Sequence, residues 1–162
     1  MKQLIFVAVP VLLGLSGCAH QETAVTHFPE GVNQIVVRAD EIKWRTCPPV
    51  LPKNCEMTIL EGNPKQEGFF TLRFHTTDSF FMPAHTHPKD ERVTVLQGAA
   101  SVAFGADATR EDAQTFGPGD FYINARHAVH KVWVEKGTIL QITGLGPWKA
   151  DYIEKHGSPL TP

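Results

Sequence analysis

The sequence predicts an all-β fold, its strands packed as a sandwich, jelly roll or barrel. Two observations carry this: short β-prone apolar runs recur along the chain, and Gly, Pro, Asn or Asp stands between one run and the next. The 12 Pro and 13 Gly are scattered among these runs, which favours many turns and short strands over long helices.

In chain order the runs lie at residues 34–38, 57–60, 69–76, 93–96, 99–104, 121–123, 132–134 and 138–143. Phe70, Leu72 and Phe74 alternate with Thr71, Arg73 and His75, the period of two of a strand with one buried face. The expected breaks are Gly62-Asn63-Pro64, Pro88-Lys89-Asp90, Gly98, Gly117-Pro118-Gly119-Asp120 and Glu135-Lys136-Gly137, the last closing a hairpin. Residues 106–114 are the one stretch able to make a helical turn, and a loop serves equally there.

At 162 residues, 42% hydrophobic and 20% charged, the chain has room for one core and one domain. Lys and Arg total 15 against 17 for Asp and Glu, and neither sign forms a block. That argues against a nucleic-acid partner and against recognition of anionic lipid. The expected partner is a small molecule.

Residues 1–17 read as a secretory signal peptide: Lys2 gives a positive start, and the apolar run 4–15 is too short to span a bilayer. Leu15-Ser16-Gly17-Cys18 resembles the lipobox of bacterial lipoproteins; a signal peptide with a chance Cys is the plainer alternative. The resemblance implies lipidation of Cys18 and membrane contact through that anchor alone. With Ala19 next, it also implies a place in the cell envelope, at the outer membrane facing the periplasm. Residues 18–33 are a flexible tether in which His20 and His27 are solvated, and residues 34–162 form the folded domain.

Export would put Cys47 and Cys55 in an oxidising compartment, where a local disulfide is their simplest use. A loop this short gains about 2 to 3 kcal/mol from such a bond. A pair of metal-binding thiolates and two independent thiols are the alternatives.

The chemistry is concentrated in residues 82–98, where His85-Thr86-His87 is followed by Glu91 and then Gly98. Residues two apart in an extended strand point to the same face, so two imidazoles can converge on one ion. A turn at Pro88-Lys89-Asp90 can fold Glu91 back to the same point. Two neutral nitrogens and a carboxylate suit iron, manganese, nickel, copper or zinc, and leave coordination positions open.

This segment resembles the first motif of the cupin superfamily, in which a Gly precedes H-x-H, a Glu and a closing Gly; Ser79 stands where the leading Gly is usual. Residues 119–130 are similar to the second motif at Gly119, Asp120 and His130, with Ala125 and His127 replacing the usual Pro and Gly. The likeness spans residues 57–146 and is nearest to small single-domain bacterial cupins. They share P-x-H-x-H-P-x-D-E-x-V-T-V-L-x-G and a later G-x-G-P-W, here Gly144-Leu145-Gly146-Pro147-Trp148. The resemblance implies a single cupin barrel of jelly-roll type, with one divalent transition metal on His85, His87, Glu91 and His130. Homodimers are common in the superfamily.

Among the other candidates, His127 is expected behind the ligands or at the rim of the pocket, with a fifth-ligand role as the alternative. Phe81 and Pro83 share the parity of His85 and His87 and so are candidates to line the pocket, core packing being as good a reading. Tyr122 and Trp133 are placed near its mouth, and His75 and His156 are structural or solvated. Two functions stay open: a metal-dependent enzyme acting on a small molecule, and a non-catalytic ligand-binding or sensing cupin.

Overall fold

The computed structural model describes residues 28–153. Eleven strands follow in chain order: β1 (Arg45–Thr46), β2 (Cys55–Gly62), β3 (Gly68–Thr76), β4 (Phe80–Thr86), β5 (Glu91–Gln97) and β6 (Ala100–Phe104). Then come β7 (Gln114–Phe116), β8 (Phe121–Asn124), β9 (His130–Val134), β10 (Ile139–Gly146) and β11 (Asp151–Tyr152). They form a six-stranded sheet ordered β1-β2-β3-β10-β5-β8 and a five-stranded sheet ordered β11-β4-β9-β6-β7, with every pairing antiparallel.

From β3 onward the chain changes sheet at every connection except β6 to β7, which is the jelly-roll course. Glu135-Lys136-Gly137 is therefore a corner and not the expected hairpin. The turn forms, with Thr138 N–H donating to the Glu135 carbonyl at 3.3 Å, but β9 pairs with β4 and β6 while β10 pairs with β3 and β5. Local turn chemistry fixes the reversal and says nothing about the sheet the next strand joins.

The core lies between the sheets. Phe70, Leu72, Phe74 and Thr76 point inward from β3, Val93 and Val95 from β5, Leu140 and Ile142 from β10, and Val132 and Val134 from β9. Each large side chain buried this way contributes about 2 kcal/mol. Gly144 continues the inward parity of β10 because the Phe70 ring lies where its side chain would be, 3.2 Å from an added Cβ. Gly98 closes the β5–β6 turn at φ 74°, and a side chain there would strike Thr138. In the turn before β8, Gly117 N–H donates to Asp120 Oδ2 at 2.8 Å and Asp120 N–H to the Gly117 carbonyl at 3.0 Å.

One strand expectation fails, and the helical turn allowed at residues 106–114 is present. Residues 34–38 form no strand, and Ile35, Val36 and Val37 stand exposed: β1, not this run, pairs with β2, and composition alone does not place a run in a sheet. Residues 106–114 hold a single 3₁₀ turn, Arg110–Asp112, capped by Asp112 Oδ2 accepting from Thr109 N–H and Oγ1–H. Cys47 and Cys55 are joined in a disulfide.

Candidate metal centre

Two cross-strand pairs face each other across the sandwich. His85 on β4 opposes His130, the first residue of β9; Glu91, the first residue of β5, opposes Asn124, the last of β8. His87 follows β4 directly. All five side chains are buried, His130 at 0% and His85 at 1% exposure. One ring nitrogen from each of His85, His87 and His130 lies within 4.8 Å of the others, so the three can hold a metal ion.

The main chain fixes how these rings present themselves. Nδ1 of His85 meets the Pro83 carbonyl at 2.7 Å, Nδ1 of His87 the Lys149 carbonyl at 2.7 Å, and Nδ1 of His130 the Ala128 carbonyl at 2.9 Å. A carbonyl oxygen only accepts, so each Nδ1 carries the hydrogen, and in the neutral ring each Nε2 keeps its lone pair. Orienting a histidine through its other nitrogen is how metal sites are built. His87 Nε2 is buried without a hydrogen bond of good geometry, 3.3 Å from Glu91 Oε2, and a cation would satisfy it.

Asn124 completes the cluster. Its Nδ2 donates to Glu91 Oε2 at 3.0 Å and lies 3.3 Å from His130 Nε2. Both neighbours accept, so the amide must turn its NH₂ toward them.

The electrostatics follow from burial opposed by one carboxylate. Burial, helped by the neighbouring His130, pushes the His85 imidazole down to about 4, and burial also lowers His130. His87 is pushed down by the same burial, but the adjacent Glu91 carboxylate outweighs it and raises its pKa. Burial alone would raise Glu91; His87 beside it reverses the sign and keeps the group ionised. The centre thus holds one fixed negative charge among three imidazoles.

The cluster opens on a cavity of about 40 Å³. His85, His87 and Glu91 line it together with apolar side chains from both sheets, Leu51 of the disulfide loop, and Trp148. Tyr122 also lines it, and burial raises its hydroxyl pKa.

Phe81 lies outside this cavity. It is 44% exposed and stacks on Trp133 with ring centroids 5.1 Å apart. The register shifts between Met82 and His85, so Phe80 and Met82 line the cavity ahead of the bulge and His85 after it. Parity counted back from the histidines is thereby reversed. His127 is exposed; its backbone N–H donates to the His87 carbonyl at 2.9 Å, and at φ 62° it takes the left-handed conformation that suits Gly. His75 sits on the outer face against Glu56 at 3.2 Å. Cys18, His20, His27 and His156 fall outside the described residues.

Beside the centre, Arg126 clamps the two motif loops, donating from Nε to Asp90 Oδ1 and from Nη2 to Oδ2, both at 2.9 Å. The Arg126 hydrogen bonds hold the Asp90 carboxyl down at about 2.

A jelly roll whose two sheets bring three imidazoles and a carboxylate together is the arrangement of the cupins, and solved structures share the fold. The polyketide cyclase RemF from Streptomyces resistomycificus aligns with a TM-score of 0.62 at 14% identity, over 76% of this chain and 88% of its own. An acetylacetone dioxygenase from Acinetobacter johnsonii gives 0.58 at 15% identity, over 86% and 90%. An RmlC-like cupin from Shewanella frigidimarina gives 0.53 at 13%, over 69% and 90%. Within this class the chain belongs to the family described as Domain of unknown function (DUF4437), which matches residues 26–149. No curated protein matches the chain.

Proposed function

We propose that this protein is a metal-dependent cupin that binds one divalent transition metal through His85, His87, Glu91 and His130 and acts on a small molecule in the adjoining cavity. The observation that carries it is the set of three Nδ1–carbonyl bonds, which leaves the three Nε2 lone pairs converging beside a buried carboxylate. Mixed nitrogen and oxygen ligands suit iron, manganese, nickel, copper or zinc. Such an ion supplies a Lewis acid with open positions for a ligand. Glu91 supplies negative charge, and Asn124 orients it. The fold shared with a dioxygenase and a cyclase accommodates catalysis on a small molecule and chooses no reaction.

The proposal includes an exported lipoprotein: signal peptide at residues 1–17, lipidated Cys18, tether at 18–33, domain at 34–162, and a site on the periplasmic side of the outer membrane. The Leu15-Ser16-Gly17-Cys18 pattern supports it. So does the Cys47–Cys55 disulfide, a bond of oxidising compartments.

Metal analysis of the full chain purified without chelators tests the centre. Near-stoichiometric metal that is absent from a His85→Ala/His130→Ala double variant supports it; a metal-free protein that stays so after reconstitution overturns it. Tight ligand binding by the metal-loaded protein without turnover would assign the chain to sensing instead of catalysis.

A further inference from the structure

The Gly144–Trp148 motif supplies no metal ligand, yet it is built to place an indole against the metal centre. A Cβ on Gly146 would run into the Gln66 carbonyl oxygen, so the chain can pass there only as glycine. Trp148 N–H then donates to the Pro64 carbonyl at 2.6 Å. The Trp148 ring lies nearly parallel to the His87 imidazole, centroids 5.4 Å apart and planes at 17°, and packs against Phe70 and Phe74.

Trp148 Nε1 is buried and has no hydrogen-bond partner among the described residues. Among the described residues only His87 Nε2 shares that condition, and a metal ion answers it. An indole N–H can only donate, and a buried donor without an acceptor is destabilising and rare. Trp148 and His87 line the same cavity, so an acceptor held there could be shared between the metal and the indole. The remaining lining includes Phe74, Phe80, Met82, Val93 and Leu140, and contains no Lys or Arg.

We propose that Trp148 is a ligand anchor: the small molecule of this site has a compact apolar body, at most one negative charge, and two acceptor atoms, one for the metal and one for Trp148 Nε1–H. The inference rests on the metal-centre reading above. Phosphorylated and polyanionic compounds are disfavoured because the cavity offers them no cationic side chain. Polyols are disfavoured because it offers few polar partners. The cavity volume of about 40 Å³ has room for a few water molecules, so the ligand is small.

The test uses the full chain loaded with Co(II), titrated with butanoate, which has two acceptor oxygens on an apolar tail, and with azide, a metal ligand that lacks the apolar body. Both should perturb the cobalt absorption. Trp148→Phe, which keeps an aromatic ring and removes the N–H, should weaken butanoate at least tenfold and leave azide unchanged; equal effects on the two, or none on either, overturn the proposal. The Zn(II)-loaded wild type gives a check independent of how that variant folds. Its Trp148 indole N–H resonance, assigned by elimination with Trp44→Phe and Trp133→Phe, should move downfield on adding butanoate, and a stationary signal in the ligand-saturated protein overturns the anchor. If azide perturbs cobalt and butanoate does not, the metal centre stands and the anchor alone falls. If no cobalt binds, both fall.

Discussion

Across β4 and β9 His85 faces His130, and across β5 and β8 Glu91 faces Asn124; the same cavity takes Leu51 from a disulfide-closed loop and Trp148 from a segment beyond the last long strand. In the first region, strand register aims every side chain, because a residue in a paired strand faces whichever sheet surface its ladder position dictates. In the second, no ladder exists. Position there comes from a covalent bond at Cys47–Cys55, from Tyr152 Oη–H donating to the Val50 carbonyl at 3.2 Å, and from the tight passage at Gly146. The contrast teaches that ligand-set residues should be sensitive to side-chain chemistry, while the loop-borne wall should respond to whatever ties its backbone.

The sharpest way to break this comparison is at His130. His130→Ala should abolish retention of stoichiometric metal through dialysis while circular dichroism stays that of a β protein; retained metal would remove the register-held centre altogether. Next comes Asn124→Leu, close in size but without the amide donor. It should weaken metal affinity roughly 10- to 100-fold, the usual cost of removing a group that orients a ligand, as read by competition with a zinc chelator.

The third effect is a pH dependence of the metal-free protein. His85 in the folded state sits near 4 against an ordinary 6.5, and His130 is lowered as well. Below about 6.5 the unfolded chain binds protons that these folded histidines refuse, so the urea midpoint should fall as pH drops from about 6.5 toward 4. His87, raised by Glu91, acts in the opposite sense and makes the decline shallower than two histidines alone would give. A midpoint that rises as pH falls through this window would contradict the buried, neutral state of the pair.

On the loop side, a Cys47→Ser/Cys55→Ser double variant should lose about 2 to 3 kcal/mol of stability and keep its metal. Loss of metal at unchanged stability would show that the loop positions ligands after all. The smallest change is expected at His127→Gly, where relief of a left-handed backbone offsets the flexibility of glycine and stability should rise by no more than about 1 kcal/mol.

Much of the register-held region was legible in the sequence. The alternation through Phe70, Leu72 and Phe74 identified β3 and its inward face, and the H-x-H spacing, Glu91 and His130 marked the residues the fold brings together. What failed had long-range causes. The bulge between Met82 and His85 turned Phe81 outward, and a bulge depends on the partner strand. Residues 34–38 had strand composition but pair with no strand, the place beside β2 being taken by β1, and the corner at residues 135–137 looks like a hairpin until the sheets are known. Asn124 was overlooked although one signal was present: it shares parity with Tyr122 in a short strand, a polar residue at an inward position. The role of Leu51 and Trp148 in the cavity had no local signal, since it arises from segments far apart in the chain.

The three orienting carbonyls differ in how far away they lie along the chain. His85 and His130 each find theirs two residues upstream, a relation that persists in any locally formed strand end. His87 depends on Lys149, 62 residues downstream, in the short segment that ends in the two-residue strand β11. A segment joined to its sheet through a two-residue strand opens more readily than a sheet interior. Opening there would free the His87 ring while leaving the other two imidazoles in place, so under the proposed function the lifetime of a bound ion would be set by a segment that contributes no ligand of its own.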